Sequence, residues 1–254
     1  MATKSRRVVL FGISAAVVVA GAVVTPQAFA ATNPGFGRFG FFGSRNNAGA
    51  GNNAGAGNNA GAGNNAGAGD CTDVQLVFAR GTGEPQGLGI VGRPLAQALA
   101  SELPGRTVSS FAVVYAAASN QRSAGPGATN MSQHIASVAA ACPDTQFVIG
   151  GYSQGASVTD IAMGIRGAGT AGEAIDADLT DRVSAVVVFG NPLGLQRRTI
   201  AGSSAEFGPK AKEFCNNGDP VCGGGNNFAA HLAYPRNGTV QQGAEFAAGR
   251  ITGS

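Results

Sequence analysis

The sequence predicts an α/β protein: one compact domain on a central parallel sheet of about five strands, with helices on both faces. Three observations carry this. After Asp70, short apolar runs alternate with segments of helical spacing. Val183–Phe189 is nearly unbroken in apolar residues, as a strand covered on both faces requires. The run Gln146–Ile149 ends abruptly in Gly-Gly-Tyr-Ser-Gln-Gly and continues into Ala-Ser-Val-Thr-Asp-Ile-Ala-Met, which reads as strand, sharp turn and helix. In such sheets, sites lie at the carboxyl ends of the strands, where Ser153 falls.

Residues 1–30 read as an export signal. Lys4, Arg6 and Arg7 form a positive start, Val8 to Val24 is uncharged and apolar, and Ala28-Phe29-Ala30 is a cleavage site. A membrane anchor is the competing reading, but the run is short, rich in Ala and Gly, and closed by Pro26. Ser5-Arg6-Arg7-Val8-Val9-Leu10 loosely resembles a twin-arginine signal, so the export route stays open. Cleavage removes three positive charges and lowers the formal net charge from +3 to 0. No basic field remains for nucleic acid or an anionic membrane surface.

Residues 31–69 read as a spacer. Phe36, Phe39, Phe41 and Phe42 stand among glycines, and four copies of Asn-Asn-Ala-Gly-Ala-Gly run from Asn46 to Gly69. A short period suggests a β-helix, but no copy carries a large apolar residue for stacking to bury. Glycine raises the entropy cost of ordering the copies, so a flexible tether is expected. The Phe patch reads equally as a surface anchor or a plain spacer.

The folded domain is expected over 70–254. Strands are expected at Val74–Phe78, Phe111–Tyr115, Gln146–Ile149 and Val183–Phe189. Pro94–Leu103 places Leu95, Ala98, Leu99 and Leu103 on one helix face, and Met131, Ile135, Val138 and Cys142 share another. Residues 239–251 form the last expected helix.

Four cysteines in an exported chain imply two disulfides, with three possible pairings. Cys71 and Cys142 each lie just before a strand, at the amino-end edge of a parallel sheet. Cys215 and Cys222 lie in a loop that belongs to the carboxyl-end edge. Cross-pairing would span the sheet, so Cys71–Cys142 and Cys215–Cys222 are expected. The short bridge encloses Asp219 and is expected to clamp it.

Gly-x-Ser-x-Gly is weak evidence in a chain with 41 glycines, where chance supplies it about 0.5 times. The strand before it and the helix after it give it meaning. A serine hydroxyl needs a base, and the base needs an orienting carboxylate. Of the two histidines, His134 precedes the serine and is expected on the solvent side of its helix. His231 follows the serine, and Asp219 is the only acid between Glu213 and His231. The order Ser153, Asp219, His231 is the one α/β-hydrolases use. The oxyanion donors expected are the N–H of Gln154 and one from the loop Ala79-Arg80-Gly81-Thr82-Gly83-Glu84. That loop lacks the Lys-Ser/Thr of a P-loop and the third glycine of a dinucleotide site.

These stretches resemble the cutinase family of small secreted serine esterases. Pro143-x-Thr145 with Val148-Ile149-Gly150-Gly151-Tyr152-Ser153-Gln154-Gly155 resembles its nucleophile signature. Cys215, Asp219, Val221, Cys222, Gly224 and His231 resemble its acid-and-base signature, and residues 79–84 its oxyanion loop. The resemblance implies Ser153 as nucleophile, His231 as base, Asp219 as acid, and Thr82 with Gln154 as the oxyanion hole. It also implies an α/β-hydrolase-like fold without a lid, no cofactor or metal, and the same two disulfides. Phe147 and Phe228 stand where the family usually has aliphatic residues, and Phe228 is placed to line an acyl crevice.

The resulting expectation is a secreted, monomeric carboxylester hydrolase acting on short- to medium-chain acyl or polyester bonds. It binds ester or lipid-like substrates, with no nucleic acid partner and no stable membrane insertion after cleavage. A lipase, phospholipase or envelope acyltransferase is the alternative enzyme. A non-catalytic tethered surface-binding protein is the alternative of another class.

Overall fold

The computed structural model describes residues 71–253. The expected signal (1–30) and spacer (31–69) lie outside the described residues. Five parallel strands form one sheet: β1 (Val74–Ala79), β2 (Val108–Ala112), β3 (Gln146–Tyr152), β4 (Val183–Phe189) and β5 (Ala211–Phe214), in the order β2-β1-β3-β4-β5. The helices are α1 (Gly89–Glu102), α2 (Ala124–Ala141), α3 (Gln154–Ala162), the short α4 (Ile200–Ser203) and α5 (Phe228–His231), and α6 (Thr239–Thr252).

Side chains alternate across the sheet, so each strand feeds two cores. Leu76, Phe78, Val148, Val187 and Phe189 pack with Leu95 and Leu99 of α1 and Ala244 and Ile251 of α6. Val77, Ile149, Val186 and Val188 pack with Met131 and Ile135 of α2 and Val158 of α3. Each fully buried Leu, Val or Phe side chain contributes about 1.5–3 kcal/mol. This is why β1, β3 and β4 tolerate almost no polar residue.

Both expected disulfides are present, Cys71–Cys142 and Cys215–Cys222, with Cα separations of 5.5 and 5.8 Å. Four expectations need correction. First, β2 spans Val108–Ala112 rather than Phe111–Tyr115. It is an edge strand whose register is set by pairing with β1, from Val108 on Val74 to Ala112 on Phe78. Tyr115 instead lies under Arg80 and donates its hydroxyl proton to the Arg80 carbonyl. Second, β5 has no counterpart in the apolar pattern, because it is a four-residue edge strand carrying Lys212 and Glu213.

Third, α1 begins at Gly89 rather than Pro94, because Oε1 of Glu84 accepts the Ile90 N–H at 2.8 Å and supports an earlier start. Fourth, His134 is half-buried rather than solvated. Its ring stacks on Phe111 at 3.5 Å, and Nε2 meets Oε1 of Gln75 at 2.7 Å. Burial pushes its pKa down to about 4, so it packs as a neutral ring.

Candidate active site

Ser153 joins β3 to α3 with φ 56° and ψ −117°. For a residue with a side chain this is strained backbone, at a typical cost of about 1–3 kcal/mol. The turn is possible because its flanks have no Cβ. One on Gly151 would collide with the Gly155 carbonyl, and one on Gly155 with the Ala79 carbonyl at the end of β1. The Ser153 N–H donates to the Phe189 carbonyl at 2.9 Å, which ties the turn to the end of β4. Ser153 itself is half-buried.

Asp219 and His231 come together from the far side. Asp219 is wholly buried and His231 is 3% exposed. Nδ1 of His231 lies 2.9 Å from Oδ2 and 3.1 Å from Oδ1 of Asp219. The Val221 N–H donates to Oδ1 at 2.7 Å, and the Tyr234 hydroxyl donates to Oδ2 at 2.6 Å. The enclosing loop is also pinned by the Asn227 N–H on the Gly218 carbonyl at 2.9 Å and by Nδ2 of Asn216 on the Ala230 carbonyl at 2.7 Å. The short disulfide is therefore one of several restraints on Asp219.

The histidine is held by Tyr152 and Gly190, which neighbour the serine turn and the end of β4 to which that turn is tied. Tyr152, directly before Ser153, donates its hydroxyl to the His231 carbonyl at 2.9 Å, and its ring stacks on the imidazole at 4.9 Å. Gly190, directly after Phe189, lies under the ring: a Cβ there would sit 2.7 Å from Cε1 of His231. Burial pushes the phenols of Tyr152 and Tyr234 well above their usual pKa, so both stay protonated donors.

The backbone N–H groups of Thr82 and Gln154 make no hydrogen bond among the described residues. Gln154 opens α3, so no carbonyl one turn earlier is in place to accept its proton. The loop 79–84 is stiffened by Glu84, whose Oε2 accepts the Gly81 N–H at 2.5 Å. Arg80, 4% exposed, donates to the carbonyls of Glu84 at 2.7 Å and Tyr115 at 2.8 Å.

A second loop, between β2 and α2, supports these groups and was not foreseen from sequence. The Ala117 carbonyl accepts the Gly83 N–H at 2.8 Å. Nε2 of Gln121 reaches Oγ1 of Thr82 at 3.2 Å, and Nε2 of Gln154 donates to the Ala118 carbonyl at 2.9 Å. The available signal was faint, a small-residue run, Ala116-Ala117-Ala118-Ser119-Asn120, between strand and helix.

Among the described residues, five large apolar side chains are exposed: Ile90, Val114, Leu195, Phe228 and Leu232. Every one lies in a segment that follows the carboxyl end of a strand. Phe228 is 58% exposed and tilts against His231 at 5.4 Å, whereas Phe147 is fully buried in β3. On α3, Asp160 is 1% exposed and its Oδ1 meets Nδ2 of Asn191 at 3.2 Å. Nδ2 of Asn191 also reaches Oε1 of Glu213 at 3.3 Å.

The chain resembles known proteins across this same region. A cutinase from Kineococcus radiotolerans is 59% identical over 183 residues, 71% of this chain and 62% of that protein. The chain thus spans less than two thirds of that relative. Phospholipase Culp4 of Mycobacterium tuberculosis is 41% identical, over 71% of this chain and 80% of that protein. Trichoderma reesei cutinase, solved with a phosphonate inhibitor, is 31% identical with a TM-score of 0.58, over 71% of this chain and 77% of that one. Acetylxylan esterase, at 24% identity and a TM-score of 0.63, shares the fold over 72% of this chain and all of its own. The cutinase family model matches residues 70–251, which contain the serine turn, the Asp219–His231 pair and both supporting loops, so this chain belongs to the cutinase family.

Proposed function

We propose that this chain is an exported serine carboxylester hydrolase, with Ser153 as nucleophile, His231 as base, Asp219 as its orienting acid, and the N–H groups of Thr82 and Gln154 as the oxyanion hole. The observation that carries the reading is the buried Asp219–His231 pair, whose histidine is bonded to Tyr152, the residue that precedes the strained serine. Oγ of Ser153 attacks the ester carbonyl carbon as Nε2 of His231 takes its proton. The oxyanion is received by the two N–H groups, and its collapse breaks the C–O bond to the alcohol. The alcohol leaves with the proton from His231. Water then attacks the acyl-serine with His231 again as base, releasing the acid and restoring Ser153.

The substrate class is short- to medium-chain acyl or polyester bonds. Exposed Phe228, tilted against His231 at 5.4 Å, supports it, since it offers the apolar surface that an acyl chain would cover. Two disulfides support an oxidising destination, and the charged start of the chain supports export. No helix among the described residues is long and apolar enough to cross a membrane. Phospholipid hydrolysis is the second reading, favoured by the Culp4 relative.

An alkyl phosphonate should label the mature protein stoichiometrically. Ser153→Ala should fold normally, lose that label and lose turnover by about four orders of magnitude or more. Labelling that persists at another residue would refute the assignment. A chain-length series of p-nitrophenyl esters beside phospholipid vesicles separates the two substrate readings.

A further inference from the structure

We infer that Tyr234 is a positioning residue for this site, whose hydroxyl fixes Asp219 and sets how strongly that carboxylate acts on His231. The inference rests on the triad reading above. Among the described residues, the ion-pair partner of Asp219 is His231. No arginine or lysine neutralises the buried carboxylate, so its charge depends on hydrogen-bond donors. Besides His231, those donors are the Val221 N–H and the Tyr234 hydroxyl.

The direction of the Tyr234 bond follows from its partners: Sγ of Cys222, at 3.5 Å, is a disulfide sulfur with no proton to give and a weak acceptor beside the carboxylate. The Asn216 N–H lies 3.1 Å from the phenol oxygen and can only donate. The phenol oxygen must therefore accept that bond, which leaves its single proton for Oδ2 of Asp219 at 2.6 Å. The ring has no freedom to turn away. It is fully buried and meets Phe189, Tyr152 and His231 edge-on, with centroids at 5.8, 5.9 and 6.2 Å. Its carbonyl accepts Oγ1 of Thr239 at 3.2 Å, at the start of α6. One residue thus links the disulfide loop and the acid, through its phenol, to a core helix, through its carbonyl.

The hydroxyl also sets the charge His231 feels. Oδ2 accepts both the phenol proton and the Nδ1 proton. A donor on Oδ2 spreads the negative charge and weakens its pull on an imidazolium. Without that donor the full carboxylate charge bears on the ring. The other titratable groups near the pair are Tyr152 from β3, stacked on the imidazole, and Glu84 from the loop after β1, which acts electrostatically on Tyr152.

The test is Tyr234→Phe, assayed for kcat, KM and the pH dependence of kcat/KM on one soluble ester. The expected result is a loss in kcat of roughly tenfold with KM within about twofold. The acid limb should move up by about half a pH unit or more. Tyr152→Phe is the comparison: it removes a bond to the His231 carbonyl without touching Asp219, so kcat should fall while the limb stays. Should Tyr234→Phe fail to fold, site-specific fluorotyrosine at 234 keeps the hydroxyl and strengthens it as a donor. The limb should then move down. A Tyr234→Phe protein that only melts earlier, or a fluorotyrosine protein with an unmoved limb, overturns the inference. His231→Ala in the same assay separates the two levels. If it keeps full activity, the triad reading itself fails; if it is inactive and Tyr234→Phe is normal, only the role of Tyr234 fails.

Discussion

The two ends of the sheet are built on opposite principles. At the amino end, side chains lace the strand ends together. Oδ2 of Asp73 accepts the N–H and Oγ1 of Thr107 at 2.6 and 2.7 Å, joining β1 to β2. Oγ1 of Thr145 donates to the Thr72 carbonyl at 2.6 Å, joining β3 to β1. Arg182, just before β4, donates to the carbonyls of Cys142 and Thr145 at 3.0 and 2.5 Å, and Cys71–Cys142 closes the same edge. The carboxyl end carries the strain. Among the described residues, the four non-glycine positions with positive φ, Ala117, Gln121, Ser153 and Arg197, lie in segments that leave carboxyl ends of strands, as do the five exposed large apolar side chains. Strain and exposed apolar surface both lower stability, and a well-tied opposite edge lets the domain tolerate them.

The strongest way to break this contrast is to remove one bridge from each end. The long bridge, over a sequence separation of 71, is worth about 4.4 kcal/mol on the chain-entropy model, a large share of the roughly 5–15 kcal/mol typical of a domain. Cys71→Ala/Cys142→Ala should therefore lower Tm by about 9–18 °C while the folded fraction keeps its kcat/KM. Thermal melts and ester turnover below the transition check both halves. A large loss of activity in the folded fraction would mean that the amino edge also shapes the site.

The short bridge, over a separation of 7, is worth about 2.5 kcal/mol by the same model. Its removal loosens Val221, whose N–H holds Oδ1 of Asp219, but leaves Tyr234 on Oδ2. Cys215→Ala/Cys222→Ala should melt earlier by a smaller margin and lose roughly tenfold in kcat/KM. Unchanged kcat/KM would assign the whole of the carboxylate's restraint to Tyr234 and its neighbours.

What could be read from sequence divides along the same line. Ser153 was legible because the crowding of its turn demands Gly151 and Gly155, a local constraint. Asp219 and His231 were legible because the chain offers two histidines and only one acid in the right interval. The buried strands β1, β3 and β4 announce themselves by composition. Edge strands do not: β5 has four residues with two charges, and the register of β2 is decided by β1 rather than by its own apolar run. Tyr234 and the 116–123 loop were illegible for a different reason. A tyrosine three residues after a histidine looks like ordinary core, and only the return of the chain over Asp219 gives its hydroxyl a task. His134 misled for the same reason, since Phe111 and Gln75 reach it from other strands.

The smallest effect concerns two carboxyl groups, one at each end, whose pH dependence has opposite sign. Asp73 at the amino edge is held below the usual carboxylate range by its backbone and side-chain bonds from Thr107. Its contribution is present above the unfolded pKa and is lost as pH falls through the folded one. Asp160 on α3 is the reverse. Burial pushes it up to about 8, Asn191 opposes that shift with a hydrogen bond, and Glu213 adds to it. Its Oδ2 has no hydrogen-bond partner among the described residues. Between the unfolded value of 3.8 and about 8, the folded protein keeps a proton that the unfolded chain releases. Stability therefore falls as pH rises through that window and levels off above it, with a limiting slope of about 1.4 kcal/mol per pH unit. Asparagine has the shape of the protonated acid and cannot ionise. Asp160→Asn should match the parent near pH 4, gain on it steadily towards pH 8, and keep the gain above that. Asp73→Asn should fall below the parent above pH 4 and converge with it in acid. Denaturant midpoints from pH 4 to 9 measure both. If Asp160→Asn runs parallel to the parent throughout, Asp160 is ionised in the folded state, balanced by Arg198, and the carboxyl edge carries a buried charge instead of a buried acid.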